Sequence, residues 1–123
     1  NMNNRTEEAL GNATDVLHAA EAGLLGLQPP WLGYVFLMQD EASSRSPVRV
    51  KEPHFEVDRE FRGASYQRRA MLLCRRLLMK RLYDAAWFVT GEPLEGVVCE
   101  PAADLTWAKF EAALRGRVAE ILA

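Results

Sequence analysis

The sequence lacks most marks of secreted, membrane-embedded or nucleotide-binding proteins. It has two cysteines, Cys74 and Cys99, without CxxC spacing and without a neighbouring histidine. That pattern argues against structural zinc and suits a reducing cytoplasm. No apolar run is long enough to cross a bilayer. The chain opens on polar asparagines, which do not read as a signal peptide. Neither GxGxxG nor a Walker phosphate loop is present, so a nucleotide cofactor is not expected. There is no internal repeat and no low-complexity segment. A length of 123 residues predicts one domain spanning residues 1–123.

What the chain does have is an uneven charge distribution. The formal net charge is −2, yet seven Arg or Lys and no Asp or Glu lie between Arg62 and Arg81. Positive charge gathered in one region is how a polyanion-binding surface is built. A solvated basic helix explains the same composition, and composition alone leaves both readings open.

Just before that region lies Pro47-Val48-Arg49-Val50-Lys51-Glu52-Pro53-His54-Phe55. Arg49 and Lys51 are two apart, so on an extended segment they share a side and leave Val48 and Val50 for the core. Pro53 ends the run or confines it to a sheet edge. His54 follows as a structural residue or as a donor to phosphate or base. Glu56, Asp58 and Glu60 alternate with Val57, Arg59 and Phe61. A Mg²⁺-dependent nuclease needs carboxylates that converge on the cation. These three are not on a buried apolar strand and read as a solvated loop.

Periodicity predicts the remaining elements. A helix runs from Asn4 to about Leu25, with Asn4 as cap and Glu7 completing a capping box. Its buried face is Ala9, Leu10, Ala13, Val16, Leu17, Ala20 and Leu24. Arg5, Glu8, Asn12 and Asp15 form a polar stripe, with Arg5 and Glu8 spaced to pair. Gly23, Gly26, Pro29 and Pro30 stop the helix. Trp31 to Gln39 reads as a strand covered on both faces, and 42–46 as a polar loop. Ser65 caps a helix to about Tyr83 whose core stripe is Ala70, Met71, Cys74, Leu77, Leu78 and Leu82. Arg68, Arg69, Arg75, Arg76 and Lys80 share its other side, with Leu72 and Met79 among them, a placement that predicts this side to be covered by another portion of the protein or a second subunit. Residues 85–90 form a second buried strand, parallel to the first through a right-handed crossover. Residues 94–104 are a loop. A last helix starts at Asp104 or Thr106, with Trp107, Phe110, Leu114, Val118, Ile121 and Leu122 as its stripe. The expected fold is α/β, in the order α-β-α-β-α with two buried parallel strands.

Several strings resemble the C-terminal part of the XhoI-type restriction endonucleases. They are Asn3-Asn4-Arg5-Thr6-Glu7-Glu8-Ala9-Leu10-Gly11, Pro30-Trp31-Leu32-Gly33-Tyr34, PVRVKEPHF from Pro47, RGASY from Arg62, CRRL from Cys74 and RLYDAA from Arg81. They keep the family's order across residues 3–90, and nothing after Thr90 adds to the likeness. The resemblance implies a partial PD-(D/E)xK nuclease fold and a type II enzyme that cuts double-stranded DNA within CTCGAG using Mg²⁺. A palindromic site implies a two-fold homodimer. It also implies that the Asp and Glu-x-Lys of catalysis lie upstream, in an N-terminal part with which this chain would associate. No catalytic residue and no metal ligand is therefore carried over. The residues carried over as DNA-contacting are Asn4, Arg5, Arg45, Arg49, Lys51, His54, Arg62 and Arg68. Glu8 and Asn12 are expected beside the active site. The competing expectation is a non-catalytic basic module that binds DNA or an acidic protein partner.

Overall fold

The computed structural model describes residues 2–47 and 64–123. Its elements are α1 (Met2–Glu21), β1 (Gly33–Gln39), α2 (Ala42–Arg45), α3 (Tyr66–Met79), β2 (Ala85–Gly91), β3 (Val98–Cys99) and α4 (Trp107–Leu122). The expected main elements are present. Two were missed. The polar stretch after β1 forms the one-turn helix α2, and the loop after β2 contains the short strand β3.

α1 already includes Met2, so Asn4 lies inside the helix and does not cap it. Its C-terminus follows the glycine signal. Leu24 N donates to Ala19 O and Gly23 N to Ala20 O, with Gly23 at φ 75. This is a Schellman closure, which needs a left-handed residue that glycine adopts without strain. Ala9 and Ala13 are buried, whereas Leu17 and Leu24 of the expected apolar face are exposed.

β1 and β2 pair in parallel from Gly33↔Ala85 to Gln39↔Gly91. α3 connects them and covers one face of the sheet. Ala70, Leu73, Cys74 and Leu77 pack there with Phe36 and Phe88. The Ser65 hydroxyl caps α3 by accepting from Arg68 N at 3.0 Å, as the sequence predicts. α1 joins this layer. Tyr83 Oη donates to Ala9 O at 2.7 Å, and Tyr34 meets Tyr83 edge-on.

α4 covers part of the opposite face, with its N-cap at Thr106. Phe110 sits directly over Gly33, where an added Cβ would lie 2.5 Å from its ring. Glycine is thus required at the start of β1 because another element approaches the backbone closely. Glu100 anchors α4 from outside the helix, since its Oε2 accepts from Trp87 Nε1 and Trp107 N. Beyond Phe110 the expected stripe of α4 opens to solvent at Val118, Ile121 and Leu122.

β3 pairs antiparallel with β2 at Thr90 and Gly91. Phe88 N donates to Leu105 O nearby. Among the described residues the sheet order is therefore β1-β2-β3, with β1 at an end. β2 is buried on both faces. β1 is not: Tyr34, Phe36 and Met38 face the core, while Val35 and Leu37 are exposed at 50% and 68%. The expectation of a strand covered on both faces is corrected here. α4 reaches β1 only at its first residues, so the other side of the strand stays open farther along.

α3 brings a second correction. Leu72 is buried at 6%, whereas Met79 is exposed at 84%. The two share a side of the helix, which is covered at Leu72 and open at Met79.

Candidate functional site

The polar stripe of α1 runs along the outer edge of β1. A cavity of about 240 Å³ is lined by Arg5, Glu8 and Asn12 on one wall and by residues 34–37 on the other. Successive side chains of a strand point to opposite faces. A groove that touches four consecutive residues therefore lies along the strand's edge, where main-chain groups are presented. A larger cavity of about 470 Å³ continues the edge to Gln39 and takes in Met2, Arg5, Ser43, Ser44 and Tyr66. The whole groove leads from α1 to the carboxyl end of β1. In open parallel sheets that end is where ligands bind.

Arg5 and Glu8 form the expected ion pair at 3.0 Å, both about half exposed. Their charges also act on Tyr34. Its hydroxyl is pushed up to about 12, mainly by burial, then by Cys74 and Tyr83, against the lowering effect of Arg5. Tyr34 is therefore a neutral wall of the groove at physiological pH. Burial likewise pushes the Cys74 thiol up to about 12, which makes it a core residue and not a nucleophile.

At the carboxyl end of β1 a hydrogen-bonded node fixes α2 against α3. Gln67 is buried, and its Nε2 donates to Asp40 Oδ1 and to Ser44 Oγ, both at 3.0 Å. Arg45 Nε pairs with the same Asp40 oxygen at 3.1 Å. Glu41 closes a capping box with Ser44 at the start of α2. Arg45 is thus held through its guanidinium Nε while its side chain remains 62% exposed. Arg68, in the first turn of α3, is exposed. Pro47 and Ser65 form an isolated antiparallel bridge, which holds together the two ends of the segment between them. Asp40, Ser44 and Gln67 were not singled out from the sequence. A glutamine on a predicted core-facing turn of a basic helix was the available signal.

Of the sequence-predicted site residues, the structure brings Arg5, Glu8 and Asn12 together in one groove. Arg45 lies on α2, next in sequence to Ser44 of the same groove, and Arg68 follows Tyr66 by two residues. Asn4 is exposed on α1. Arg49, Lys51, His54 and Arg62 lie outside the described residues, as do Val48, Val50, Glu56, Asp58 and Glu60. The basic side of α3 is less free than its composition suggests. Arg75 makes a two-pronged contact with Asp104, at 2.7 and 2.9 Å. That contact holds the Asp104 carboxyl below the usual carboxylate range. Among the described residues no three His, Cys, Asp or Glu side chains converge as a metal-binding group, so no Mg²⁺ ligand is assigned within them. No helix among them is long and apolar enough to cross a membrane.

The family model described as Restriction endonuclease XhoI matches residues 1–100. The type II restriction enzyme BstVI of Geobacillus stearothermophilus is 44% identical over 109 residues, covering 85% of this chain and 49% of that enzyme. The type II restriction enzyme XhoI of Xanthomonas vasicola is 47% identical over 81 residues, covering 65% of this chain and 33% of that enzyme. The chain thus spans about half the length, or less, of these curated relatives. No solved structure matches it. A family match over most of its length makes the chain a member of the XhoI restriction endonuclease family.

Proposed function

We propose that this chain is the C-terminal, DNA-contacting portion of a type II restriction endonuclease with a partial PD-(D/E)xK fold. The enzyme would cut double-stranded DNA at a CTCGAG-like palindrome, with Mg²⁺, as a cytoplasmic homodimer. Residues 1–123 form one domain of it. Metal ligands and the catalytic lysine belong to another portion of the enzyme. The observation that carries this reading is the α2–α3 corner at the carboxyl end of β1. It presents the exposed Arg45 and Arg68 beside the node formed by Asp40, Ser44 and Gln67.

Arginine suits both tasks on DNA, the bidentate contact to guanine and the pairing with phosphate. Lysine offers only a point charge. Arg49 is therefore assigned to base reading and Lys51 to a phosphate. Arg5, Arg45, Arg62, Arg68, Asn4 and His54 are assigned to further DNA contacts.

The test is titration of the chain, assembled with the rest of the enzyme, against a CTCGAG duplex and a scrambled duplex. Arg49→Ala should weaken cognate binding by roughly 1–3 kcal/mol and relax the preference. Lys51→Ala should weaken both duplexes about equally and reduce the salt slope. The 123-residue chain alone should not cleave DNA with Mg²⁺. Specific cleavage by it alone would move the active site to Glu56, Asp58 and Glu60. Equal affinity of the assembled protein for both duplexes would overturn the site-specific reading.

A further inference from the structure

We infer that the outer edge of β1 is a docking site for an amphipathic β-strand from the remaining portion of the enzyme. This rests on the reading that the chain works as one portion of a longer enzyme.

Three observations carry it. First, β1 is an end strand with pairing on one side among the described residues, and grooves run along its other edge. Second, Gly33-Tyr34-Val35-Phe36-Leu37-Met38-Gln39 contains neither a charge nor a proline. Solvent-facing edge strands are normally blunted by charges, proline or bulges. An uncharged edge of high β-propensity, with Val35 and Leu37 exposed, fits a strand that pairs. Parallel sheets are also normally closed on both faces. Third, BstVI is about twice as long as the stretch this chain matches, so the relative has a further portion large enough to supply a strand.

The two sides of the groove define the chemistry of the occupant. On one face its side chains would meet Arg5, Glu8 and Asn12 and must be polar. On the other face they would lie beside Val35 and Leu37 and must be apolar. Main-chain hydrogen bonds to β1 would supply the pairing, as in strand addition generally.

The experiment co-expresses the 123-residue chain with the tagged portion of BstVI that has no counterpart in it. The portion should co-purify with the chain. Val35→Lys with Leu37→Lys should reduce the co-purified amount roughly tenfold or more, since docking would bury unpaired charge. Leu94→Lys, on another exposed residue, should leave it unchanged. Hydrogen exchange on the chain alone should find unprotected amides on the outer edge of β1 that become protected in the assembly. Failure to co-purify, equal loss with Leu94→Lys, or edge amides already protected in the lone chain would each overturn the inference. So would concentration-dependent self-association that protects the same amides, since the occupant would then be a second copy. Association through β1 without duplex binding would sustain the docking site and remove the DNA reading.

Discussion

β1 and β2 are paired along their whole length and are similarly apolar in sequence. Their surroundings differ. β2 lies between β1 and β3, with α3 on one face and α4 on the other, and its Phe88 is fully buried. β1 has the same helical layer beneath it but, among the described residues, is open along one edge and half of its upper face. The difference teaches that an apolar strand reports a need for cover without saying where the cover comes from. In β2 it comes from this chain. In β1 it comes only in part.

Removing side chains from the two strands should break them unequally. Phe88→Ala leaves a cavity at the centre of the core and should cost about 3–5 kcal/mol, read from urea unfolding. Leu37→Ala on β1 removes a side chain already in water and should cost less than about 0.5 kcal/mol. Equal losses would show that β1 is closed in solution.

α3 repeats the contrast along a single helix side. Leu72→Asp places a carboxylate at a buried position and should cost at least about 3 kcal/mol, or abolish folding. Met79→Asp should be nearly neutral in thermal unfolding. The spacing of these two residues among the arginines suggested one common cover. The structure separates them because this side of α3 is covered at Leu72 and open at Met79, while Leu77 on the other side of the same last turn stays in the core.

Much of the fold was legible in the sequence because it depended on local signals. The glycines after α1, Ser65 before α3 and Thr106 before α4 each work through neighbouring backbone groups. The parallel pairing followed from two apolar runs joined by a helix. What was not legible depended on long-range contacts. Asn4 has cap chemistry, but the helix starts earlier. β3 is two residues long and exists because the edge of β2 was available. Val35 and Leu37 have the composition of a core strand, and only the reach of α4 decides that they stay open. In the site, the Arg5–Glu8 pair was visible as a three-residue spacing. Its position beside β1 was not, since Tyr83 binds Ala9 across 74 positions of sequence to set it.

That last contact gives a smaller test of how α1 is held beside β1. Tyr83→Phe removes the donor to Ala9 O. The carbonyl belongs to α1, where the helix supplies it with another donor, so the cost should lie near 1 kcal/mol. If the contact also positions the groove, Arg5 and Asn12 resonances should shift in the variant while those of α4 do not.

The smallest effect concerns the layer that does close over β2. Arg75 reaches from α3 to Asp104, just before α4, and both side chains are partly exposed, at 35% and 47%. Solvent screening therefore limits the pair to roughly 1 kcal/mol or less. The Asp104 carboxyl is held below its ordinary value by the Arg75 hydrogen bonds. A lowered folded-state value means that the contribution is present above the unfolded value, near pH 4, and is lost as the pH falls through the folded one. Asp104→Asn should thus be less stable than the parent at pH 7 in urea unfolding. The gap between them should close as the pH falls below the unfolded value and through the lowered folded one. A gap that persists undiminished under acid would mean that the ion pair is not its source. The packing of the 102–105 segment against β2, where Leu105 accepts from Phe88 N, would then be the feature that the substitution disturbs.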